Sequence, residues 1–152
     1  MAEKLKKEDE HCAICGCSLN RKKGTYATAT LKGRSHATKH HFVAERFFGR
    51  SGNRKGIIRP SLFKQCPWGL EGEHELFCYE CHEILLHNPV FTRENIADFA
   101  ELVKEKKLGE PEKTESCEKL AQRIRLLQKV IEGGIKILKD THEHDTNERR
   151  HG

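Results

Sequence analysis

The stretch CYECHEILLHN, residues 78–88, joins a pair of cysteines at C-x-x-C spacing to a run of helical character with two histidines in it. Two thiolates at that spacing sit on a tight turn that can present both to one tetrahedral ion. From Tyr79 the run suits a helix that stops before Asn88 and Pro89, because a residue preceding proline is pushed out of helical geometry. An ion on Cys78 and Cys81 would then pin the first turn of the helix that carries His82.

A second knuckle, CAIC, supplies Cys12 and Cys15, and 62 residues separate the two pairs. That is far more than the dozen or so inside a simple zinc finger, so one shared zinc would staple the ends of a folded insert. A thioredoxin-type redox pair needs only one such motif on a βαβ background, which this sequence lacks. Cys17, Cys66 and Cys117 have no partner at ligand spacing and read as ordinary thiols.

The chain of 152 residues allows one small domain plus appendages. With 36% hydrophobic and 34% charged residues the core must be thin, and no run of apolar residues is long enough to span a bilayer. The first ten residues, MAEKLKKEDE, lack the apolar stretch of a secretory signal, which makes the cytoplasm the expected compartment. In a reducing compartment closely spaced cysteines are metal ligands or redox groups more often than bridges.

The formal charge of +5 is unevenly spread. Residues 21–64 hold twelve Lys or Arg against one acid, Glu45, while the rest of the chain holds sixteen against twenty-two. Such a segment suits a polyanion, and the phosphate backbone of DNA is the expected partner, gripped by Arg34, Lys39, Arg46, Arg50, Arg54 and Lys55. Contacts of that kind carry little base information, so weak sequence preference is expected.

Within this segment TYATATL, residues 25–31, alternates like a strand, and SHATKHHF, residues 35–42, reads as its antiparallel return across Gly33. GRSGNRKG, residues 49–56, has three glycines and three cations and predicts a basic loop. Residues 57–77 mix apolar residues with two prolines and predict no clear element. Thr92 looks like the N-cap of RENIADFAELVKEKK, with Ile96, Phe99, Ala100 and Val103 on one face and Gly109 and Pro111 beyond its end.

Farther on, Leu120, Ile124, Leu127, Ile131, Ile135 and Leu138 recur at steps of three and four, which predicts an amphipathic helix of about four to six turns. It can pad the core or self-associate with a second chain, although Gly133 and Gly134 argue against a long rigid zipper. The expected organisation is a charged tail over 1–10, a zinc-containing domain over 11–108, an amphipathic helix over 113–140 and a polar tail over 141–152. His142, His144 and His151 in that tail read as solvated, and His11 and His36 as surface or strand residues.

The combination of CAIC, KHHF at residues 39–42, and CYECHEILLHN resembles the HNH endonucleases, the zinc-stabilised branch of the His-Me finger nucleases. The resemblance covers about residues 11–92 and rests on three motifs in order. It implies an α+β fold with a ββα-metal core: a strand ending in two histidines, a loop, a second strand, and a helix carrying another metal-binding histidine. It implies a structural zinc on Cys12, Cys15, Cys78 and Cys81. By position, His40 and His82 correspond to the ligands of a second divalent ion, Mg2+ or another, and His41 to the general base that deprotonates the attacking water.

The chemistry of those residue types agrees. Imidazole titrates near neutral pH and can take a proton from water, while a divalent cation can stabilise a pentacovalent phosphate. Adjacent side chains on a strand point to opposite faces, so His40 and His41 should divide the labour. The family's middle asparagine falls at Glu73, followed by His74; either of these, or Asn53 in the loop, is a candidate support for His41. His87 stands at i+5 from His82, about 140° round an ideal α-helix, and is taken as secondary. The function implied is metal-dependent hydrolysis of DNA phosphodiester bonds. The alternatives are a non-catalytic zinc-stabilised DNA-binding module of the same fold, and a scaffold whose C-terminal helix recruits a protein partner.

Overall fold

The computed structural model describes residues 10–21, 36–49, 56 and 60–150, with backbone only for 143–150. The fold is α+β, and the chain divides into two compact units, Met1–Val90 and Phe91–Gly152. This division groups the helix after Thr92 with the C-terminal helix, whereas the expected zinc-containing domain extended to residue 108.

In the first unit β1 (Thr38–His41) pairs antiparallel with β2 (His74–Phe77), in the register Thr38 to Phe77, Lys39 to Leu76, His40 to Glu75 and His41 to His74. Alternation along a strand sends Thr38 and His40 to one face and Lys39 and His41 to the other. Thr38 is buried, and its hydroxyl donates to the Phe77 carbonyl at 3.0 Å, which satisfies a polar group that would otherwise be costly there. Beyond the strand ends the Phe42 N–H donates to the Glu73 carbonyl at 3.2 Å. The expected partner of β1, residues 25–31, and the Gly33 turn lie outside the described residues. Among the described residues β1 pairs with a strand from the end of the stretch whose sequence predicted no element.

The first knuckle is a small hairpin. His11 bridges Ser18, the Cys12 N–H donates to the Cys17 carbonyl at 2.9 Å, and Gly16 closes the turn with a φ of 75°, a left-handed value that favours glycine. The Ala13 N–H donates to the Leu76 carbonyl at 3.0 Å and so docks this hairpin on β2. The second knuckle follows β2 without a gap and leads into a seven-residue π-helix, Glu80–Leu86. Cys12, Phe77, Cys78 and Cys81 form the core cluster, with Cys17, Leu19 and Leu86 against it. Three of the four central side chains are thiols, so apolar burial alone stabilises little here.

After β1 the chain bends at Phe42, buries Val43, and forms a 3-10 turn, Glu45–Phe48, closed by Gly49 at a φ of 70°. Phe47, Phe48 and Trp68 gather round the buried Phe63, with ring centroids 5.5 to 6.4 Å from it.

In the second unit α1 (Arg93–Glu105) opens with a full capping box: the Asn95 N–H donates to the Thr92 hydroxyl at 3.1 Å, and the Thr92 N–H to Asn95 Oδ1 at 3.0 Å. The helix stops before Gly109, because Lys107 adopts the left-handed conformation with a φ of 55° and Leu108 folds in to become buried. α2 (Glu118–Arg150) is 33 residues long, well beyond the four to six turns that the apolar repeat predicts. The expected polar tail is helical as far as Arg150, and Gly133 and Gly134 do not interrupt it. Each glycine costs a helix only about 1 kcal/mol relative to alanine, too little to break one of this length. Ala121 and Leu126 are buried, while Ile131, Ile135 and Leu138 are about half exposed or more, at 48%, 50% and 72%. Among the described residues no helix is long and apolar enough to cross a membrane.

Candidate metal centres

The knuckles meet. Cys12, Cys15, Cys78 and Cys81 bring one sulfur each to within 4.8 Å of all the others, and the Cys15 and Cys78 sulfurs are 3.8 Å apart. Four sulfurs at about 2.3 Å from a tetrahedral zinc lie about 3.8 Å from one another, so the cluster has the dimensions of a four-cysteine zinc site and can hold such an ion. Three of the four are buried, at 3%, 4% and 7% exposure for Cys12, Cys78 and Cys81, and Cys15 is exposed.

The electrostatics of this cluster suit a cation. Burial pushes the Cys12 thiol up, but backbone N–H groups of Cys15, Cys78 and Ile14 aimed at the sulfur outweigh it and bring it down to about 6. Burial raises Cys78 and Cys81 above their ordinary value; the sulfurs of Cys12 and Cys15 add to both rises, while the backbone N–H and thiol of Cys81 oppose that of Cys78. Cys17, two residues past the first pair, is pushed up to about 12 by burial and by Cys15 and Cys78. Four thiolates side by side repel, and a dication supplies the charge that lets all four ionise.

A second cluster lies where β1 and the π-helix approach. His40, His82 and His87 each offer a ring nitrogen within 4.8 Å of the others, with centroids 4.9 Å apart for His40 and His82, 5.4 Å for His40 and His87, and 4.5 Å for His82 and His87. His87 joins because the helix is wound with i to i+5 bonds. Its N–H donates to the His82 carbonyl at 3.2 Å, so residues five apart share a face. The separation of about 140° holds for an α-helix and does not apply here. Asn88 ties down the end of this turn by donating from Nδ2 to the Glu83 carbonyl at 2.7 Å.

Burial lowers the pKa of His40, and the neighbouring His82, His87 and His41 lower it further, against a smaller opposing pull from Glu83. Burial lowers His82 as well, with Glu83 opposing. Both rings are held toward the neutral form, the form that binds metal. Glu83 reaches toward two rings, with Oε1 3.5 Å from His82 Nδ1 and Oε2 3.4 Å from His87 Nδ1. The first approach is too long or too bent to satisfy the buried His82 Nδ1, which has no hydrogen bond. Glu83 thus stands beside both imidazoles at ion-pair distance, in the place that an outer-shell carboxylate takes at metal-bound histidines, without a hydrogen bond to His82.

His41 points elsewhere. Its ring centroid is 5.7 Å from that of His74, its cross-strand partner, and its Nε2 is 3.4 Å from Glu45 Oε1. Of the two adjacent candidates for its support, His74 in β2 faces the ring, and Glu73, just before β2, meets this strand end through its backbone carbonyl. Lys39 is exposed and Arg46 places its guanidinium 5.8 Å from the Phe47 ring centre, whereas Arg34, Arg50, Asn53, Arg54 and Lys55 lie outside the described residues. Glu45 and Glu83 were not singled out from the sequence as site residues. Their signals are spacings: Glu45 stands at i+4 from His41 in the bend after β1, and Glu83 next to His82 and at i−4 from His87. No protein-family model, curated protein or solved structure matches this chain.

Proposed function

We propose that the chain is a metal-dependent endonuclease of the HNH type, hydrolysing DNA phosphodiester bonds with His41 as general base. The observation that carries this reading is the separation of two adjacent histidines. His40 enters a three-imidazole cluster with His82 and His87, and His41 stands apart from it beside Glu45 and His74. A domain that only bound DNA would have no use for that division. The order of β1 ending in two histidines, a loop, β2 and a histidine-bearing helix supports a ββα-metal core.

Cys12, Cys15, Cys78 and Cys81 would hold a structural zinc, since a closed set of four ligands leaves no position for substrate. His40, His82 and His87 would hold the second ion, leaving positions open. Three imidazoles without a carboxylate suit zinc, nickel, cobalt or copper better than magnesium. When bound, this ion supplies Lewis-acid stabilisation of the phosphate and of its leaving oxygen. His41 takes a proton from water, whose oxygen forms the new bond to phosphorus as the bond to the leaving oxygen breaks; the leaving oxygen takes its proton from solvent. Lys39 and Arg46, with the other cations of residues 21–64, would neutralise the backbone.

Nicking of supercoiled plasmid by the parent chain, with zinc content verified and nickel, cobalt, manganese or magnesium supplied in turn, tests this. His41→Ala should lower the rate by about 10²- to 10⁴-fold while both metal sites still load. Full activity in that variant would remove His41 as the general base, and no nicking by the metal-loaded parent would leave a non-catalytic DNA-binding module.

A further inference from the structure

Glu45 is the one acid among residues 21–64, a segment with twelve cations. A carboxylate there weakens attraction to any polyanion, so binding alone does not account for it. Its position is tightly specified. β1 ends at His41, the bend buries Val43, and the 3-10 turn begins at Glu45, four residues after His41. The turn is held by the Phe47 N–H donating to the Ala44 carbonyl at 2.9 Å, and it is tied to the loop beyond by the Leu62 N–H donating to the Phe47 carbonyl at 2.7 Å.

From there Glu45 Oε1 reaches to 3.4 Å from His41 Nε2, with side chains 45% and 36% exposed. As a stabilising ion pair this contact would contribute little, because solvent screens it. Its consequence for the ring is larger. A carboxylate beside Nε2 favours the tautomer that carries its hydrogen there, which leaves the lone pair on Nδ1. His74, also against this ring, is neutral or cationic and cannot supply that negative pole.

We infer that Glu45 is the positioning residue of His41, holding the Nε2–H so that Nδ1 faces the attacking water. The inference rests on the nuclease reading and adds to it the group that orients the base. It also accounts for an acid in the basic segment: the cost in DNA attraction is accepted at the one position where a negative charge aligns the base.

The two roles available to Glu45 have opposite signatures. Loss of a merely solvated surface acid should strengthen DNA binding and leave turnover alone. Loss of a positioning residue should lower kcat while KM stays level or falls. Cleavage kinetics of the full chain should therefore show kcat reduced about tenfold in Glu45→Gln, a modest loss because the pair is half exposed, with no rise in KM. Long-range proton–nitrogen spectra should show His41 protonated at Nε2 in the parent and redistributed toward Nδ1 in Glu45→Gln. An unchanged kcat, a loss carried by KM, or a His41 tautomer that Glu45→Gln does not move overturns the positioning role and leaves the nuclease reading standing. A metal-loaded parent that does not cut overturns the nuclease reading, and this inference with it.

Discussion

The two candidate metal centres belong to one unit and share the segment around Cys81 and His82, yet they are built on opposite principles. The cysteine cluster is a closed set of four candidate ligands, three of them buried, and it forms much of the core cluster of its unit. The histidine cluster has three candidate ligands, none of them buried, at the edge of a two-stranded sheet. A closed set holds a fold together, and an open set of three leaves room for water or a phosphate oxygen. Adjacency in sequence ties the two together, since whatever fixes Cys81 fixes the turn that carries His82.

The comparison breaks most sharply if the cysteine site is removed. In Cys78→Ser the first unit should fail to fold, because the binding energy of a structural zinc, about 10 kcal/mol or more in small domains, is folding energy. Thermal unfolding with zinc quantified would show the loss. A cooperative transition of the first unit in that variant would mean that the cluster is not a staple.

The second site should respond without loss of fold. His87→Ala removes one of three imidazoles and should weaken nickel or cobalt binding at the histidine cluster by more than about tenfold, as loss of an outer-shell partner alone can cost that much. Zinc content at the cysteines should be unchanged. Isothermal titration with the zinc site loaded measures it, and an affinity equal to the parent's would remove His87 from the ligand set.

Acid gives the smallest effect. The pKa values of His40 and His82 are lowered in the folded chain, so the unfolded chain takes up protons first as pH drops below about 6.5. The stability tied to these two neutral rings is present above that pH and is lost as pH falls from there through their folded values. Chemical denaturation of the zinc-loaded chain between pH 7.5 and 5.5, without a second metal, should show a modest fall with acid, and a rise would contradict the direction of both shifts.

The cysteine knuckles were legible because ligand spacing is local: two pairs of C-x-x-C can be recognised before anything is known of the fold. The Thr92 cap was legible for the same reason, as its capping box spans four residues. The strand β2 that pairs with β1 was not. HELF at residues 74–77 has two charged or titrating side chains in four and becomes a strand only by pairing with residues 38–41 and receiving the first knuckle at Leu76. The division of His40 from His41 follows from strand alternation. The place of His87 does not, since it depends on a winding that nothing in the residues 80–86 announces. The full length of α2 escaped a reading based on apolar periodicity, because the helix continues after the apolar repeat stops.

The π-winding of Glu80–Leu86 has a thermodynamic consequence. An ion that takes both His82 and His87 can be bound only by the wider winding, since in an α-helix of the same residues the rings diverge by about 140°. The ion and the backbone are therefore linked variables: occupancy favours the i to i+5 bonds, and anything that draws the segment into α-winding lowers affinity by the same free energy. Helix winding would then act as a dial on metal affinity.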